Sequence, residues 1–471
     1  MNPESGFAGR VEGALADLHL RGALERATSK FGTQRTLALA TLEDSDAIRD
    51  AARAARMDAI AHLGEHLERF ETQLLANGAQ VHWAETPDAA NAIVAGIARR
   101  TGVKVAVKSK SMVSEETHLN DALEREGVEV VETDLGEYIV QLRNDRPSHI
   151  IAPIIHLTRQ DVGRVMEQRL NVPYSDDPQT LASIARQRLR QEFLRADMGI
   201  SGANFGVADT GTICLVTNEG NGRMVTTMPR IHVVLMGIEK LVPSMADLDH
   251  CIKVLARSAT GQKITVYTTL VRAPRGPSDT DGPEELHVVL LDNGRSRILA
   301  GETAEILGCI RCGACLNACP IYRTIGGHAY GDTYPGPVGA ILTPGLRGLD
   351  AWRELPHAST LCGACREVCP VRLDIPRMLL ALRDEGADKP RPRFLGHAMK
   401  VFAFTASRPR LYRSAARFAR WSLGRMARQG WVTRLPGFAG GWTKSRDLKA
   451  PAGASFQELW RARQRRKGRA A

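Results

Sequence analysis

Seven of the nine cysteines lie in two short runs whose spacing is typical of proteins that bind iron-sulfur clusters. Three cysteines with two residues between each and the next can surround one cubane cluster, while a fourth cysteine followed by proline reaches a second cluster. Such clusters transfer single electrons. The seven residues are, in chain order, Cys309, Cys312, Cys315, Cys319, Cys362, Cys365 and Cys369.

The spacing assigns these thiols to two clusters. The first is expected to be held by Cys309, Cys312, Cys315 and Cys369, and the second by Cys319, Cys362 and Cys365. The second site is one thiolate short, and Ser359 stands where the spacing requires the missing cysteine. It could therefore hold a 4Fe-4S cluster with serine, water or a partner group on the fourth iron, or a 3Fe-4S cluster. Zinc sites and disulfides also use this spacing, but seven cysteines with two following prolines fit neither.

The composition is that of an ordinary globular protein. With 471 residues, 43% hydrophobic and 24% charged, the chain should form about three domains. No apolar run approaches the roughly 18 residues that a membrane-spanning helix needs, and the first residues do not resemble a signal peptide. These features predict a cytoplasmic protein, where thiols stay reduced.

The positive charge is concentrated at the end of the chain. Residues 388–471 carry 21 Lys and Arg against 3 Asp and Glu, a net charge of +18, whereas residues 1–387 have a net charge of −7. A basic amphipathic helix near Leu411 and Phe418 could contact an acidic partner or the inner face of a membrane. A solvated tail is the alternative. No nucleic-acid motif accompanies the charge, so nucleic acid is not an expected partner.

The elements that position the cysteines fall into four segments. Residues 1–75 are predicted to form a helical arm. In residues 76–300 predicted strands alternate with helices, which indicates an α/β domain with a mainly parallel sheet covered on both faces. Residues 301–385 form a dicluster ferredoxin-type module, and residues 386–471 form the basic segment. The long insertion between the two cysteine runs is expected to form a cap or a docking surface.

Several elements of the α/β domain can be predicted individually. Strands are predicted at residues 103–108, 128–131 and 148–155. Ser114 is expected to cap the helix after the first of these strands, and Thr158 to begin a later helix through a capping box.

Glycines are dense between residues 199 and 222, around a predicted strand. Such glycines can let backbone amides approach an anion, with Lys108 or Arg223 supplying the countercharge. The alternative is that they are turn glycines between core strands. The pattern is not a dinucleotide fingerprint, because the glycines precede a strand.

Four segments of the α/β region resemble the lactate-utilisation domain: residues 108–116, 132–142, 218–223 and 237–240. Joined to two ferredoxin runs, they are similar to the lactate utilisation protein B family over nearly the whole chain. The resemblance implies a sugar-isomerase or CoA-transferase type of α/β fold, and serine at position 359 as a shared trait.

The same resemblance implies electron transfer during the oxidation of L-lactate to pyruvate. It also implies two partners: a cysteine-rich subunit similar to heterodisulfide reductase subunits, and a second subunit with a lactate-utilisation domain. Two functions remain open. In one, the chain is a non-catalytic electron-transfer subunit. In the other, the α/β domain itself binds and oxidises a small carboxylate. The sequence has no clear flavin or nicotinamide motif, which favours the first function.

Overall fold

The computed structural model describes residues 6–388, 393–443 and 446–467, so the ends of the predicted arm and basic segment lie outside it. The chain divides into two compact units, Met1–Ala387 and Asp388–Ala471. The first unit contains the arm, the α/β region and both cysteine runs.

The predicted arm consists of four helices: α1 (Phe7–Ala16), α2 (Leu18–Leu39), α3 (Ser45–Ala61) and α4 (Leu63–Ala76). The Asp44 side chain caps α3 by accepting hydrogen bonds from two backbone N–H groups of the first turn. Helices α2 and α3 bury their alanine and leucine face in the same hydrophobic core as the cysteines. The arm is therefore part of the packing around the cysteine runs.

Ten strands build the α/β region. They are β1 (Gln80–Ala84), β2 (Val105–Lys108), β3 (Glu129–Glu132), β4 (Met198–Ser201), β5 (Phe205–Val207), β6 (Thr212–Thr217), β7 (Ile231–Gly237), β8 (Leu241–Val242), β9 (Tyr267–Val271) and β10 (Glu285–Leu291). Six of them form a wholly parallel sheet in the order β1-β10-β7-β4-β2-β3, which confirms the predicted α/β domain with a mainly parallel sheet. The others form a mixed sheet in the order β8-β5-β6-β9.

Nine helices accompany these strands: α5 (Pro87–Thr101), α6 (Met112–Thr117), α7 (Leu119–Arg125), α8 (Leu135–Arg143), α9 (Arg159–Leu170), α10 (Pro178–Arg195), α11 (Asn221–Thr227), α12 (Met245–Ala259) and α13 (Arg295–Leu299). The parallel sheet is apolar on both faces. Val233 points into the core shared with α5 and α7, whereas Val234 points into the core shared with α4. This alternation follows from the two-residue period of a strand.

Two local predictions are wrong. Residues 148–155 form no strand, because the segment closes on itself: the Ser148 N–H donates to the Pro153 carbonyl at 2.9 Å, and His149 Nδ1 accepts from two nearby backbone N–H groups. Ser111, and not Ser114, caps α6. The predicted capping box at Thr158 is confirmed, with Asp161 as its second member.

The cysteine module contains six helices: α14 (Ala314–Ala318), α15 (Tyr322–Ile325), α16 (Gly336–Arg347), α17 (Leu349–Trp352), α18 (Ala364–Val368) and α19 (Ile375–Glu385). The insertion between the runs is mostly core, contrary to the predicted cap or docking surface. Its tyrosines Tyr322, Tyr330 and Tyr334 are buried, as is nearly all of α16. The apolar residues of α16 surround the helix, which explains why it lies inside.

The second unit contains α20 (Arg393–Ala406), α21 (Pro409–Met426), β11 (Trp431–Val432), β12 (Leu448–Lys449) and α22 (Phe456–Lys467). The two strands pair antiparallel. Large apolar side chains on the three helices are exposed, among them Phe402, Phe418, Trp421 and Trp460. Across both units, no described helix combines the length and the apolar character needed to cross a membrane.

Candidate iron-sulfur centre and adjoining charged sites

The structure brings the seven predicted cysteines together in a group of four and a group of three, and all of them are free thiols. In the first group, burial and the neighbouring Cys309 thiol together raise the pKa of Cys369 to about 11. Burial likewise raises the pKa of Cys315, and the other three thiols of the group act in the same direction. The group consists of Cys309, Cys312, Cys315 and Cys369.

The second group consists of Cys319, Cys362 and Cys365, which lie near one another. Burial and the Cys319 thiol together raise the pKa of Cys365 to about 12. Cys362 is exposed, and the backbone N–H of Ala364 lowers its pKa. The two groups adjoin, since the Cys365 thiol also raises the pKa of Cys315.

The two cysteine runs have the same backbone conformation around their matching cysteines. Gly313 and Gly363, which follow Cys312 and Cys362, have φ of 74° and 84°, and the residues before those cysteines also have positive φ. In the first run, the Arg311 N–H donates to Cys309 Sγ at 3.4 Å.

The matching bond in the second run identifies the place of Ser359. There the Leu361 N–H donates to Ser359 Oγ at 3.1 Å. Ser359 Oγ therefore has the same place in the second run as the Cys309 sulfur has in the first.

Backbone N–H groups face the thiols. The Leu373 N–H donates to Cys369 at 3.4 Å, and N–H groups of Ala314 and Tyr322 face Cys312 and Cys319. Such donors favour the thiolate form and face the sulfurs in iron-sulfur proteins. Converging free thiols, left-handed glycines and N–H donors fit two cluster sites. The remaining cysteines, Cys214 and Cys251, are buried in the hydrophobic core.

A buried ionic network joins the first cysteine run to the α/β domain. Arg311 donates to Glu239 Oε1 at 3.2 Å, and Arg295 donates to Glu239 Oε2 at 2.5 Å. Arg295 also makes two hydrogen bonds of 2.9 Å with Glu116, which accepts from the Tyr334 hydroxyl at 2.8 Å. Burial alone would raise the pKa of Glu239, but Arg295 and Arg311 hold it at about 2.

Sequence reasoning did not identify this network. The segment of residues 237–240, which resembles the lactate-utilisation domain, contains Glu239 and carried the signal. A glutamate two residues after a buried strand is unusual at a buried position unless it is paired.

Lys108 is not the free countercharge that the sequence suggested. Its ammonium is buried and contacts Glu132 at 2.7 Å and Glu115 at 2.9 Å. Arg223 is exposed on α11. The glycines pack closely, since a Cβ on Gly199 would lie 1.9 Å from a backbone oxygen of α11. Gly199 therefore allows β4 to pack closely against α11, whereas Gly211, with φ of 65° between β5 and β6, is a turn glycine of the kind that the alternative predicted.

A second polar group lies beside Lys108. The Nζ atom of Lys110 is buried and has no hydrogen-bond partner among the described residues, and the same holds for Glu132 Oε2, Glu137 Oε1 and Asn221 Oδ1. Burial raises the pKa of Glu137 to about 8, with Lys110 acting in the opposite direction. Lys110 follows β2, whose connection runs toward β3, whereas the connection from its neighbour β4 runs toward β7. Ligands of open parallel sheets bind at such a switch point.

Three family models match successive parts of this chain. The families "LUD domain", "4Fe-4S dicluster domain" and "Lactate utilisation protein B, C-terminal" match residues 67–291, 305–373 and 382–465. "Lactate utilization protein B" of Bacillus pumilus is 42% identical over 98% of this chain and 98% of that protein. "Uncharacterized electron transport protein YkgF" of Escherichia coli is 40% identical over 97% of each chain.

One solved structure also matches. A DUF162 family protein from Deinococcus radiodurans aligns with 49% of this chain and 98% of that chain, at 16% identity and a TM-score of 0.28.

Proposed function

Because this chain belongs to the lactate utilization protein B family, we propose that it is the iron-sulfur electron-transfer subunit of a system that oxidises L-lactate to pyruvate. The observation that carries the proposal is the grouping of seven free thiols beside backbone N–H donors. When bound, 4Fe-4S clusters supply one-electron transfer. In this proposal the chain is not itself the catalyst.

We propose that each thiol group holds one cluster. Cys309, Cys312, Cys315 and Cys369 supply four thiolates to the first. For the second, the position of Ser359 Oγ supports serine as the ligand beside the three thiolates, and a 3Fe-4S cluster is the alternative. The adjoining thiols of Cys315 and Cys365 support electron exchange between the sites, and the exposed Cys362 supports exit to a partner.

The partners in this proposal are a cysteine-rich subunit similar to heterodisulfide reductase subunits and a second subunit with a lactate-utilisation domain. The second unit of the chain is proposed to dock on an acidic partner or on the inner face of the membrane. Its net charge of +18 and its exposed aromatic side chains support this. Arg425 lies over the exposed ring of Trp421, 5.1 Å from its centroid, so the aromatic and cationic groups share one surface.

The decisive experiment is anaerobic reconstitution with the two partner subunits. L-lactate should reduce the iron-sulfur chromophore only in the complete mixture, as followed by absorbance bleaching and electron paramagnetic resonance. Dithionite reduces the chain in either case and is the positive control. Turnover of L-lactate by the chain alone, with flavin shown to be absent, would contradict the electron-carrier proposal.

A second candidate function is supported by the buried Lys110 ammonium. We propose, as the alternative, that a small 2-hydroxycarboxylate binds beside Lys110, where an anionic group would supply the missing partner. Glu137 and Asn221 would contact its hydroxyl. The fully parallel sheet and the switch point also support the proposed sugar-isomerase or CoA-transferase type of fold.

The alternative is tested by calorimetric titration of the full chain with L-lactate. Binding should be lost in Lys110→Met and retained in Lys104→Met, which removes an exposed lysine before β2. Equal binding by both variants, or no binding by the unmodified chain, would exclude this site.

A further inference from the structure

A cluster of one carboxylate and two imidazoles lies outside the cysteine sites. Asp145 Oδ2 is 3.2 Å from His156 Nε2, and Asp145 Oδ1 is 3.8 Å from His328 Nε2. One ligand atom from each residue lies within 4.8 Å of the others. Asp145 and His156 flank the closed turn segment of the α/β domain, whereas His328 belongs to the insertion between the cysteine runs.

Neighbouring groups fix the orientation of both rings. His156 Nδ1 lies 2.9 Å from Ser148 Oγ, which leaves its Nε2 facing Asp145. His328 Nε2 lies 2.7 Å from the Arg146 carbonyl oxygen. The exposed fractions of Asp145, His156 and His328 are 27%, 9% and 21%, so the cluster is sheltered yet open on one side.

We propose that Asp145, His156 and His328 bind a divalent transition-metal ion of the Zn²⁺ class. Two imidazole nitrogens and a carboxylate oxygen are donors that such ions prefer, and bonds of about 2.0–2.2 Å place tetrahedral ligands roughly 3.3–3.5 Å apart. The observed separations, 3.2 Å from Asp145 Oδ2 to His156 Nε2 and 3.8 Å from Asp145 Oδ1 to His328 Nε2, lie close to that spacing. The Ser148 contact is the second-layer hydrogen bond that metal-bound histidines commonly have.

The proposed ion takes the place of the contact between His328 Nε2 and the Arg146 carbonyl oxygen, and that oxygen is positioned as a fourth ligand. No electron or covalent step is involved. The ion links the α/β domain to the insertion whose buried tyrosines pack beside the cysteines. Its role is therefore structural, and it is independent of the proposed electron transfer.

The chain contains a matched control. Asp58, His62 and His66 also bring ligand atoms together, but Asp58 and His62 are about half exposed and the group lies along α3 and α4. Replacing His62 should therefore leave the proposed ion in place.

The test uses the full chain with its clusters assembled anaerobically and its iron and sulfide measured. After dialysis against low micromolar Zn²⁺, His156→Gln and His328→Gln should each bind one zinc fewer per chain than the unmodified protein, with iron unchanged. His62→Gln should keep this zinc. X-ray absorption at the zinc edge should show nitrogen and oxygen neighbours at about 2.0–2.1 Å and no sulfur at about 2.3 Å.

Asp145→Asn is the second variant if either histidine replacement also loses iron, because it alters the ligand set with little change in volume. It too should lose the zinc. Equal zinc content in the unmodified protein and all three of these variants would overturn the proposal. A sulfur shell would overturn it as well, since the zinc would then be bound by cysteine.

Discussion

At the scale of single residues, Ser359 is the position where the two cysteine runs differ. The same type of N–H bond reaches Ser359 Oγ in the second run and Cys309 Sγ in the first. A serine oxygen is a poorer iron ligand than a thiolate, so the second site should hold its fourth iron less firmly.

Ser359→Cys should therefore retain more iron per chain after anaerobic gel filtration than the unmodified protein. It should also change one electron paramagnetic resonance signal and leave the other unaltered. Ser359→Ala should lower the iron content per chain and change the same resonance signal. Ser183→Ala, at an exposed position of α10, should have no effect. Identical iron content and spectra in all four proteins would show that position 359 is not a ligand.

Glu137 should make the stability of the folded chain depend on pH. Its buried carboxyl has a pKa of about 8, above the roughly 4.3 of an exposed glutamate. Between these values the unfolded chain has lost a proton that the folded chain keeps, so this group lowers stability as pH rises through that window.

Glu137→Gln removes this titration. The difference in thermal midpoint between pH 6 and pH 8 should be smaller in the variant than in the unmodified protein, as measured anaerobically in buffers of equal ionic strength. An unchanged difference would mean that Glu137 is ionised in the folded chain at neutral pH.

At the scale of elements, Arg295 joins three segments that are distant in sequence. It lies at the start of α13 and contacts Glu116 of α6 and Glu239, which follows β7. Arg295 and Glu116 are each 1% exposed and Glu239 is fully buried. Removing one member of a buried ion pair leaves an unpaired charge, which typically costs about 3–5 kcal/mol.

Arg295→Met should therefore lower the free energy of unfolding by about 3 kcal/mol or more, as measured by anaerobic urea denaturation. Arg100→Met is the control, because Arg100 is exposed and its ion pair spans 3.7 Å. That change should fall within about 0.5 kcal/mol of the unmodified protein. Similar losses in both variants would show that the network adds no specific stability.

The elements also show how far the sequence predicts the structure. The helix after Thr158 was predicted correctly because its start depends on residues within one turn. Residues 148–155 were predicted as a strand from their apolar composition, yet His149 draws the backbone into a turn through its ring nitrogen. Composition does not reveal such a bond.

The candidate site divides in the same way. Cysteine spacing is local, so the sequence alone indicates iron-sulfur ligands. Arg295, which pairs with Glu239, lies 56 residues further along the chain, and Glu219, whose charge acts on Lys110, also comes from a distant segment, so only the folded sheet brings these groups together. Long-range charge pairing could not be predicted from one sequence.

At the scale of the whole molecule, the arm secures the second cysteine run. Arg49 donates to the carbonyl oxygens of Glu367 and Cys369 at 2.9 Å, and Arg35 donates to that of Val368 at 2.7 Å. These carbonyls end α18, where intrahelical partners are lacking. The helical arm, the α/β domain and the cysteine module therefore form one structural unit, and the basic unit after Ala387 is the separable part.

The two units differ in the sign of their charge. Residues 388–471 carry a net charge of +18 and residues 1–387 a net charge of −7, so electrostatic attraction to acidic surfaces should reside in the second unit. A chain ending at Ala387 should keep the iron content and both resonance signals of the full chain. Its binding to anionic vesicles and to the partner subunits should fall, and the remaining binding should lose its dependence on salt, because screening weakens only charged contacts.

Sedimentation with vesicles at about 0.05 and 0.5 M salt measures both effects. Loss of iron on truncation would instead show that the basic unit stabilises the cysteine module, and unchanged binding would place the docking surface on the first unit.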